Sequence, residues 1–369
     1  MRKVIIVSAI NLFEGGPLTI LMECLEYLSL NMSEQYKIIA LVHDKKLFKI
    51  SNIEFIDYTR SRKSWFYRIY YEYIHFSFLS KRLKPHLWLS LHDITPNISA
   101  DIQAVYCHNP SPFYPFSFHT FKYNYRVALF SLFYKYLYRI NIRKNTFVIV
   151  QQNWIRSSFK KMYGINNIVV SYPNASQILA PKVDAHHKQS KTFLYPAFPR
   201  VFKNFEVIAE AAKLLCKEGF SDFKVIFTIS GEENKFARYI ADQYKDIPTI
   251  SFTGLKSRDE INILYKQGGC IIFPSKLETW GLPISEAKQF NIPIILADLP
   301  YAHETVGNYD MVKFFSPDNH VQLASYMKSF IDGTLVFDGN KAEIVKEPFT
   351  ENWKELFEVL LNATEKSNA

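Results

Sequence analysis

Two glutamates, Glu278 and Glu286, have the residue types and spacing in this sequence that most directly suggest chemistry. They stand eight positions apart in CIIFPSKLETWGLPISE, where an apolar run predicts a strand and Gly281-Leu282-Pro283 predicts the start of a helix. Free N–H groups at a helix start bind diphosphates, and a carboxylate can accept two hydrogen bonds from a ribose diol. The junction therefore predicts a nucleotide site, against the alternative of two ordinary surface charges.

A pair of glycines, Gly15 and Gly16, follows the first predicted strand in NLFEGGPLTI and precedes a predicted helix. Paired glycines let the backbone come close to a phosphate, and the helix start adds its dipole. The segment is not G-x-G-x-x-G, which disfavours a dinucleotide site. A plain tight turn explains the pair equally well.

Two further strand ends carry polar residues. His108 and Asn109 follow a predicted strand in AVYCHNPSP, and His92 and Asp93 follow another in SLHDITPN. Polar residues at the carboxyl ends of parallel strands point toward the ligand crevice of an α/β fold. We predict that His108, Asn109, His92 and Asp93 line this crevice. The alternative is that each histidine is a satisfied structural one.

Short runs rich in Val, Ile and Phe alternate with longer helical patterns along the whole chain. Runs such as VIIV are apolar on both faces, as buried parallel strands require, so the alternation predicts an α/β fold with two doubly wound parallel sheets. The polar segment PNASQILAPKVDAHHKQS interrupts the pattern. We predict a first domain over residues 1–175, a linker over 176–191, a second domain over 192–345 and a helical tail over 346–369 that packs back on the first domain. Tandem domains of this kind place a ligand cleft between them.

The composition of the 369 residues limits the partners and the compartment. A formal net charge of +9 favours an acidic partner, which includes nucleic acid, an anionic membrane surface and a phosphate-bearing small molecule. The four cysteines form no CxxC pair, which indicates a reducing, cytoplasmic setting without a Cys-built metal site. The start, MRKVIIVSAINLFEGG, predicts a first strand rather than a signal peptide. We expect no membrane span, because no apolar run approaches about 18–20 residues.

The second half resembles a known family. PSKLETWGLPISEAKQFNIPII resembles the E-x7-E signature of glycosyltransferase family 4, and YPAFPRVFKNFEVIAEAAKLL, FTISGEEN and ISFTGLKSRDEINILYKQGGCIIFPS stand in the family's order and spacing. The resemblance covers essentially the whole second domain. It implies the GT-B fold, with two Rossmann-like domains facing across a cleft. It also implies retaining transfer from a nucleotide-diphosphate sugar to a glycan or polyprenyl-linked glycan, as in bacterial O-antigen or capsule assembly.

The same resemblance implies roles for individual residues. Glu286 would hold the ribose hydroxyls, and Glu278 would contact the donor sugar near the reacting centre. Arg200 and Lys203 would neutralise the diphosphate as it gains charge. The glycine pair would touch the donor phosphate or the acceptor, and His108 would contact the donor sugar or stabilise charge as the bond breaks. We predict that His92, Asp93 and Asn109 shape the acceptor side. No D-x-D occurs in the chain, so we expect no metal and no other cofactor.

Two segments, 60–84 and 113–143, interleave aromatic residues with Lys and Arg. Apolar bodies beside cations suit the surface of an anionic membrane, which predicts a peripheral contact at the inner face of the cytoplasmic membrane. The alternative is that half of these aromatic residues belong to the core.

Other functions remain open from the sequence. A nucleotide-sugar epimerase or a phosphorylase would use the same scaffold. Glycoside hydrolysis by Glu278 and Glu286 would need two carboxyls facing each other across the bond. A basic nucleic-acid binder would account for the net charge, but the basic residues are dispersed and no RNA-binding motif occurs, so we expect no nucleic acid.

Overall fold

The computed structural model describes residues 2–173 and 190–362, so most of the predicted linker, 176–191, lies outside the described residues. Within them the strands alternate with helices, as the apolar runs predict. In chain order the strands are β1 (Lys3–Ala9), β2 (Tyr36–Val42), β3 (Glu54–Asp57), β4 (Leu87–Ser90), β5 (Ile102–Cys107), β6 (Phe147–Val150), β7 (Ile168–Ser171), β8 (Thr192–Tyr195), β9 (Lys224–Phe227), β10 (Ile250–Phe252), β11 (Cys270–Phe273), β12 (Ile294–Ala297), β13 (Val312–Phe315) and β14 (Phe349–Thr350).

The helices connect these strands. They are α1 (Gly15–Asn31), α2 (Trp65–Tyr70), α3 (Phe76–Leu83), α4 (Phe118–Tyr123), α5 (Tyr125–Arg139), α6 (Asn153–Tyr163), α7 (Phe205–Lys217), α8 (Lys235–Tyr244), α9 (Arg258–Lys266), α10 (Leu282–Gln289), α11 (Pro300–Val306), α12 (His320–Ile331) and α13 (Trp353–Leu361). A single π-helical turn, Tyr71–His75, joins α2 to α3. No helix of the described residues is long and apolar enough to cross a bilayer.

The strands form two parallel sheets, which confirms the predicted fold class. The first has the order β14-β7-β6-β5-β4-β1-β2-β3 and the second the order β10-β9-β8-β11-β12-β13. In the first sheet β2 and β3 follow on one side of β1, and the chain then crosses over so that β4 and the later strands lie on the other side. In the second sheet β8 and β11 have the same relation. Ligands of doubly wound sheets bind outside the carboxyl ends of the strands at such switch points.

Alternate residues of β1 show why these strands are apolar on both faces. Ile5 and Val7 belong to a core that also contains residues of α1 and α13. Ile6 belongs to a second core, with Phe76 of α3 and Trp88 of β4. Both faces of the sheet are therefore covered, as a parallel sheet requires.

The chain divides into two compact units. Unit 1 comprises Met1–Pro112, Phe133–Asn174 and Val345–Ala369, and unit 2 comprises Phe113–Leu132 and Ala175–Ile344. The chain therefore passes between the units more often than two consecutive domains would require.

The C-terminal part completes unit 1. Strand β14 pairs with β7 at the edge of the first sheet. On α13, the ring of Phe357 stacks on Tyr27 of α1 at a centroid distance of 5.6 Å, and Trp353 lies 6.2 Å from Tyr106 of β5. The described residues after Val345 thus contribute core side chains to the unit that contains the N-terminus.

The segment 113–132 belongs to unit 2, although the predicted first domain includes it. Helix α4 packs on α8, with the rings of Tyr123 and Tyr239 4.8 Å apart and those of His119 and Phe236 6.3 Å apart. These contacts join residues more than a hundred positions apart, so no local sequence pattern indicates them.

Candidate active site

A lysine and a glutamate meet at the switch point of the second sheet. Nζ of Lys203, in the loop after β8, lies 2.5 Å from Oε1 of Glu278, in the loop after β11, and the two side chains are 16% and 13% exposed. Both loops are fixed: the Tyr195 hydroxyl donates to the Lys203 carbonyl at 2.7 Å, and the Lys276 N–H donates to the Phe202 carbonyl at 2.8 Å. The structure thus brings together two of the predicted site residues as an ion pair at a ligand-binding edge.

The start of α10 has the form that the sequence predicts. Gly281 has a φ of +88°, and a Cβ there would lie 3.1 Å from Cδ1 of Ile284 and 3.4 Å from the Phe273 ring, so glycine alone fits this turn. Leu282 and Pro283 form the first turn of the helix, and no side chain caps its N-terminus. An uncapped helix start directs N–H groups and a partial positive charge toward an anion.

Glu286 lies on α10 and is only 4% exposed. One of its carboxylate oxygens lies 2.5 Å from Nη1 of Arg258, and the other accepts from the Tyr265 hydroxyl at 2.7 Å. Burial and the charge of Glu286 raise the pKa of Tyr265 well above its ordinary value, so the phenol remains a donor. A carboxylate has about four acceptor positions, so Glu286 is held in place by two hydrogen bonds and keeps acceptor positions that a ribose diol could use.

Sequence reasoning missed Arg258 and Tyr265. Both lie on α9, seven positions apart and hence on one helix face. The only signal in the sequence was their place in the segment that resembles the family, because neither residue type is unusual on a surface helix.

Arg200 is placed differently from Lys203. It is exposed, and its guanidinium lies 5.9 Å from the Phe198 ring centroid and 6.0 Å from the Phe202 ring centroid. It precedes the short helical turn that carries Lys203. The predicted pair of cations is therefore divided between one lysine bound to Glu278 and one arginine that stacks on aromatic rings.

In unit 1, Asp93 organises the turn that carries His108. The carboxylate oxygen Oδ1 of Asp93 accepts from the backbone N–H of His108 at 2.8 Å, from that of Asn109 at 3.1 Å and from the Tyr138 hydroxyl at 2.8 Å. Asp93 is only 7% exposed. Its acceptor positions are used inside the protein, so Asp93 holds a loop instead of forming the open acceptor surface predicted for it. Asn109 is half-buried, and its acceptor-side role stays a prediction.

His92 also differs from its predicted acceptor-side role, because its side chain is fully buried. Its Nε2 lies 3.1 Å from the hydroxyl oxygen of Ser8, near the end of β1, and its Nδ1 lies 3.3 Å from Oε1 of the buried Glu72. Burial, with the nearby Arg68 and His108, lowers the pKa of His92 well below its ordinary value. A residue so enclosed does not contact an acceptor directly.

The glycine pair lies at the start of α1. Gly15 has a φ of +67°, and both glycines are exposed. A Cβ at Gly16 would have no neighbour within 4 Å. The backbone of this turn is therefore open to close approach by a ligand.

Glu72 supports a prediction about stability and pH. Burial raises the pKa of Glu72 from 4.5 to about 8, although Arg68 acts in the other direction. The folded protein then binds this proton more tightly than the unfolded chain, so the free energy of unfolding falls as pH rises through this window. Glu72→Gln has no proton to lose. We expect its melting temperature to exceed that of the unsubstituted protein at pH 8.5 by about 2–4 °C for each kcal/mol involved.

Circular dichroism melts from pH 5 to 9 measure this difference. Glu206, whose pKa burial raises to about 7, contributes to the same slope, but it is present in both proteins and cancels. If the melting temperatures of the two proteins changed with pH in the same way from pH 5 to 9, Glu72 would be ionised in the folded protein over this whole range.

The fold is that of the GT-B glycosyltransferases: two doubly wound parallel sheets, the second with the candidate site at its switch point. Residues 177–347 match the family "Glycosyl transferases group 1", which confirms the resemblance seen in the sequence. The matched range contains the Lys203–Glu278 pair, Gly281 and Glu286.

One relative in sequence is also a glycosyltransferase. The chain is 21% identical over 234 residues to the O-antigen chain mannosyltransferase RfbU of Salmonella typhimurium. That alignment spans 62% of this chain and 60% of the relative, or about three fifths of its length.

Solved structures agree with the fold. A glycosyltransferase from Rickettsia africae superposes with a TM-score of 0.63 at 18% identity, covering 90% of this chain and 88% of the other. The lipopolysaccharide outer core galactosyltransferase WaaB gives 0.59 at 13%, covering 91% and 92%. Anabaena Alr3699/HepE, solved in complex with UDP and glucose, gives 0.57 at 12%, covering 90% and 91%.

Proposed function

We propose that this chain transfers a hexosyl group from a nucleotide-diphosphate sugar to a hydroxyl of a glycan or polyprenyl-linked glycan, with retention of configuration, in O-antigen or capsule assembly. The observation that carries the proposal is the Lys203–Glu278 ion pair at the carboxyl ends of β8 and β11, within the part of the chain that matches the family. The name of RfbU and the UDP and glucose bound by HepE support this substrate class.

In the proposed reaction the bond between the sugar C1 and the diphosphate oxygen breaks, and its electron pair leaves with the diphosphate. A new bond forms between C1 and the acceptor oxygen, and the acceptor proton passes to the departing diphosphate. Lys203 donates to that diphosphate as its negative charge grows, where a preorganised cation is most effective. Glu278, which now pairs with Lys203, would turn to the donor sugar, and Glu286 would hold the ribose. Lys203, aided by Arg200, would supply the positive charge without a metal.

Unit 1 would contribute the remaining groups. We assign His108 to the reacting sugar, because it follows β5 at the carboxyl end of the first sheet and its backbone is held by Asp93. The open backbone of Gly15 and Gly16 would contact the donor phosphate or the acceptor.

Chromatography of radiolabelled nucleotide sugars, with and without a polyprenyl-linked glycan extract, tests the reaction. Transfer predicts release of a nucleoside diphosphate together with label in the lipid fraction, both dependent on the extract. Isomerised nucleotide sugar without extract would identify an epimerase instead, and sugar phosphate formed with inorganic phosphate would identify a phosphorylase.

A membrane partner is proposed for one face of unit 1. We call this the aromatic face, and its seven exposed side chains are Trp65, Phe66, Tyr67, Ile69, Tyr70, Ile74 and Phe78. Basic residues flank it on both sides: Arg60, Arg62 and Lys63 before it, and Lys81, Arg82 and Lys84 after it. The one acidic residue between these flanks, Glu72, is fully buried. Exposed apolar groups between cations fit the surface of an anionic bilayer, at the inner face of the cytoplasmic membrane.

Vesicle co-sedimentation measures this contact. We expect binding to vesicles that contain phosphatidylglycerol, and a loss of about tenfold or more for Phe66→Ser combined with Phe78→Ser, since burying a Phe side chain contributes about 1.5–3 kcal/mol. The matched control is Leu30→Ser, at a residue that is 83% exposed on α1. Equal binding by the unsubstituted protein, the double variant and Leu30→Ser would show that the aromatic face does not bind the membrane.

A further inference from the structure

A buried polar cluster beneath the switch point of the first sheet is not used by the proposed chemistry. It joins Ser8 of β1, His92 after β4 and the helical segment that carries Arg68 and Glu72. Ser8 pairs in register with Ser90 across β1 and β4, so the cluster lies where a doubly wound sheet places its ligand crevice. Arg68 donates from Nη2 to the His92 carbonyl at 3.1 Å, which fixes the backbone at the start of the Asp93 turn.

The local structure around Glu72 is unusual. Glu72 stands in the π-helical turn between α2 and α3, and turns of this kind are frequent at functional sites. Its side chain is fully buried, while Ile74, two positions on, is half exposed. Neither carboxylate oxygen of Glu72 has a hydrogen-bond partner among the described residues, and the same holds for Nδ1 of His92. Nδ1 of His92 and Oε1 of Glu72 lie 3.3 Å apart, and a single proton shared between these two atoms would give each of them a partner.

We propose that Glu72, as a neutral acid, donates its proton to Nδ1 of His92, whose Nε2–H donates to the hydroxyl oxygen of Ser8. Glu72 and His92 are then positioning residues for His108. The chain of contacts is short: His92 precedes Asp93, and the Asp93 carboxylate holds the backbone N–H groups of His108 and Asn109. The importance of this arrangement for turnover rests on the proposed role of His108 in glycosyl transfer.

The electrostatics of the cluster agree with two neutral partners. Burial raises the pKa of Glu72 to about 8. Burial also lowers the pKa of His92, and the charges of Arg68 and His108 lower it further. At pH 7 the acid therefore retains its proton and the imidazole carries one proton, as the proposed direction of donation requires.

The variants separate the proton from the shape of the side chain. Glu72→Gln keeps an N–H donor that can reach Nδ1, whereas Glu72→Ala removes the donor. Ser8→Ala removes the acceptor at the other end with a smaller change in volume. The matched control is Ser90→Ala, because the Ser90 hydroxyl is buried without a partner among the described residues.

The experiment uses the full chain labelled with ¹⁵N-histidine, and the ring signals of His92 and His108 are assigned through the signals lost in His92→Gln and His108→Gln. We expect Glu72→Ala and Ser8→Ala to shift or split the His108 signals and to lower kcat about 10²-fold without a change in donor KM, since a displacement of about 1 Å at a reacting group can have that effect. Glu72→Gln and Ser90→Ala should keep the His108 signals and keep kcat within about twofold.

Two results would overturn the inference: His108 signals that are unchanged in both Glu72→Ala and Ser8→Ala, or a Glu72→Gln variant as impaired as Glu72→Ala. If Glu72→Ala fails to fold, as judged by its circular dichroism, Ser8→Ala gives the same test. Shifted His108 signals with unchanged turnover would support the positioning network and contradict the catalytic role of His108, so the two failures are distinguishable.

Discussion

Lys203→Ala should lower kcat about 10²–10³-fold, because it removes a preorganised cation that acts on the charge that develops in the transition state, an effect of about 2.7–4 kcal/mol. The structure gives a reason for so large an effect. Lys203 is mostly buried, and its carbonyl and the loop beside it are anchored by Tyr195 and Lys276, so little rearrangement is needed before reaction. Steady-state kinetics with the donor and the lipid-linked acceptor measure the change.

The control is Lys276→Ala. Lys276 lies in the same region, but its ammonium pairs with Asp318 at 2.5 Å, where the lysine is 33% and the aspartate 77% exposed. An exposed pair contributes about 0–1 kcal/mol, so this variant should keep nearly normal turnover. A melting curve for Lys203→Ala shows whether leaving Glu278 unpaired destabilises the fold, which would account for part of the loss in kcat. A folded Lys203→Ala protein with normal kcat would contradict the assignment of this lysine to the leaving group.

Glu286→Ala should weaken binding of the nucleoside diphosphate about 10²-fold. A ribose diol would donate two hydrogen bonds to this carboxylate, and each hydrogen bond to a charged group contributes about 1.5–3 kcal/mol. The loss of affinity should depend on the 2′-hydroxyl of the nucleotide's ribose. The protein with Glu286 should prefer a nucleoside diphosphate over its 2′-deoxy form, and the alanine variant should bind the two alike. Calorimetric titration with both nucleotides measures this preference.

Arg258 and Tyr265 make a further control available. Because they hold the two oxygens of Glu286, Tyr265→Phe should weaken binding less than Glu286→Ala while it keeps the preference for ribose. If Glu286→Ala left both the affinity and the ribose preference unchanged, the nucleoside would have to be bound elsewhere.

The sheets were predictable from the sequence because each strand is buried on both faces. The run VIIV is apolar at every position, as a strand buried on both faces requires, and β1 (Lys3–Ala9) contains this run. Strand β14 was not predictable in the same way. It has only two residues, and it exists because Phe349 and Thr350 pair with β7, more than 170 positions away. Segment 113–132 belongs to unit 2 for a similar reason, because its aromatic side chains contact residues that are distant in the sequence.

The candidate site was predictable where the backbone imposes a residue type. Gly281 has a left-handed φ, and a Cβ there would crowd Ile284 and Phe273. This position therefore requires glycine, and a glycine directly before a predicted helix is visible in the sequence. The contacts that a side chain makes with distant residues, by contrast, cannot be predicted from its residue type. In the sequence Glu72 is a single acidic residue among aromatic ones, and the structure buries it in the π-helical turn. His92 and Asp93 were correctly placed at the end of a strand, but the sequence could not show that they face the interior.

The measurement that tests the central claim most directly is a thermal-shift panel of UDP, GDP, dTDP, ADP and CMP, recorded for the unsubstituted chain and for Glu286→Ala. A ligand that binds only the folded protein stabilises it by about 2.7 kcal/mol at a hundred times its Kd. The account predicts that one nucleoside diphosphate raises the melting temperature selectively and that Glu286→Ala loses most of the shift. No shift with any nucleotide at millimolar concentration would contradict a nucleotide-sugar site in unit 2.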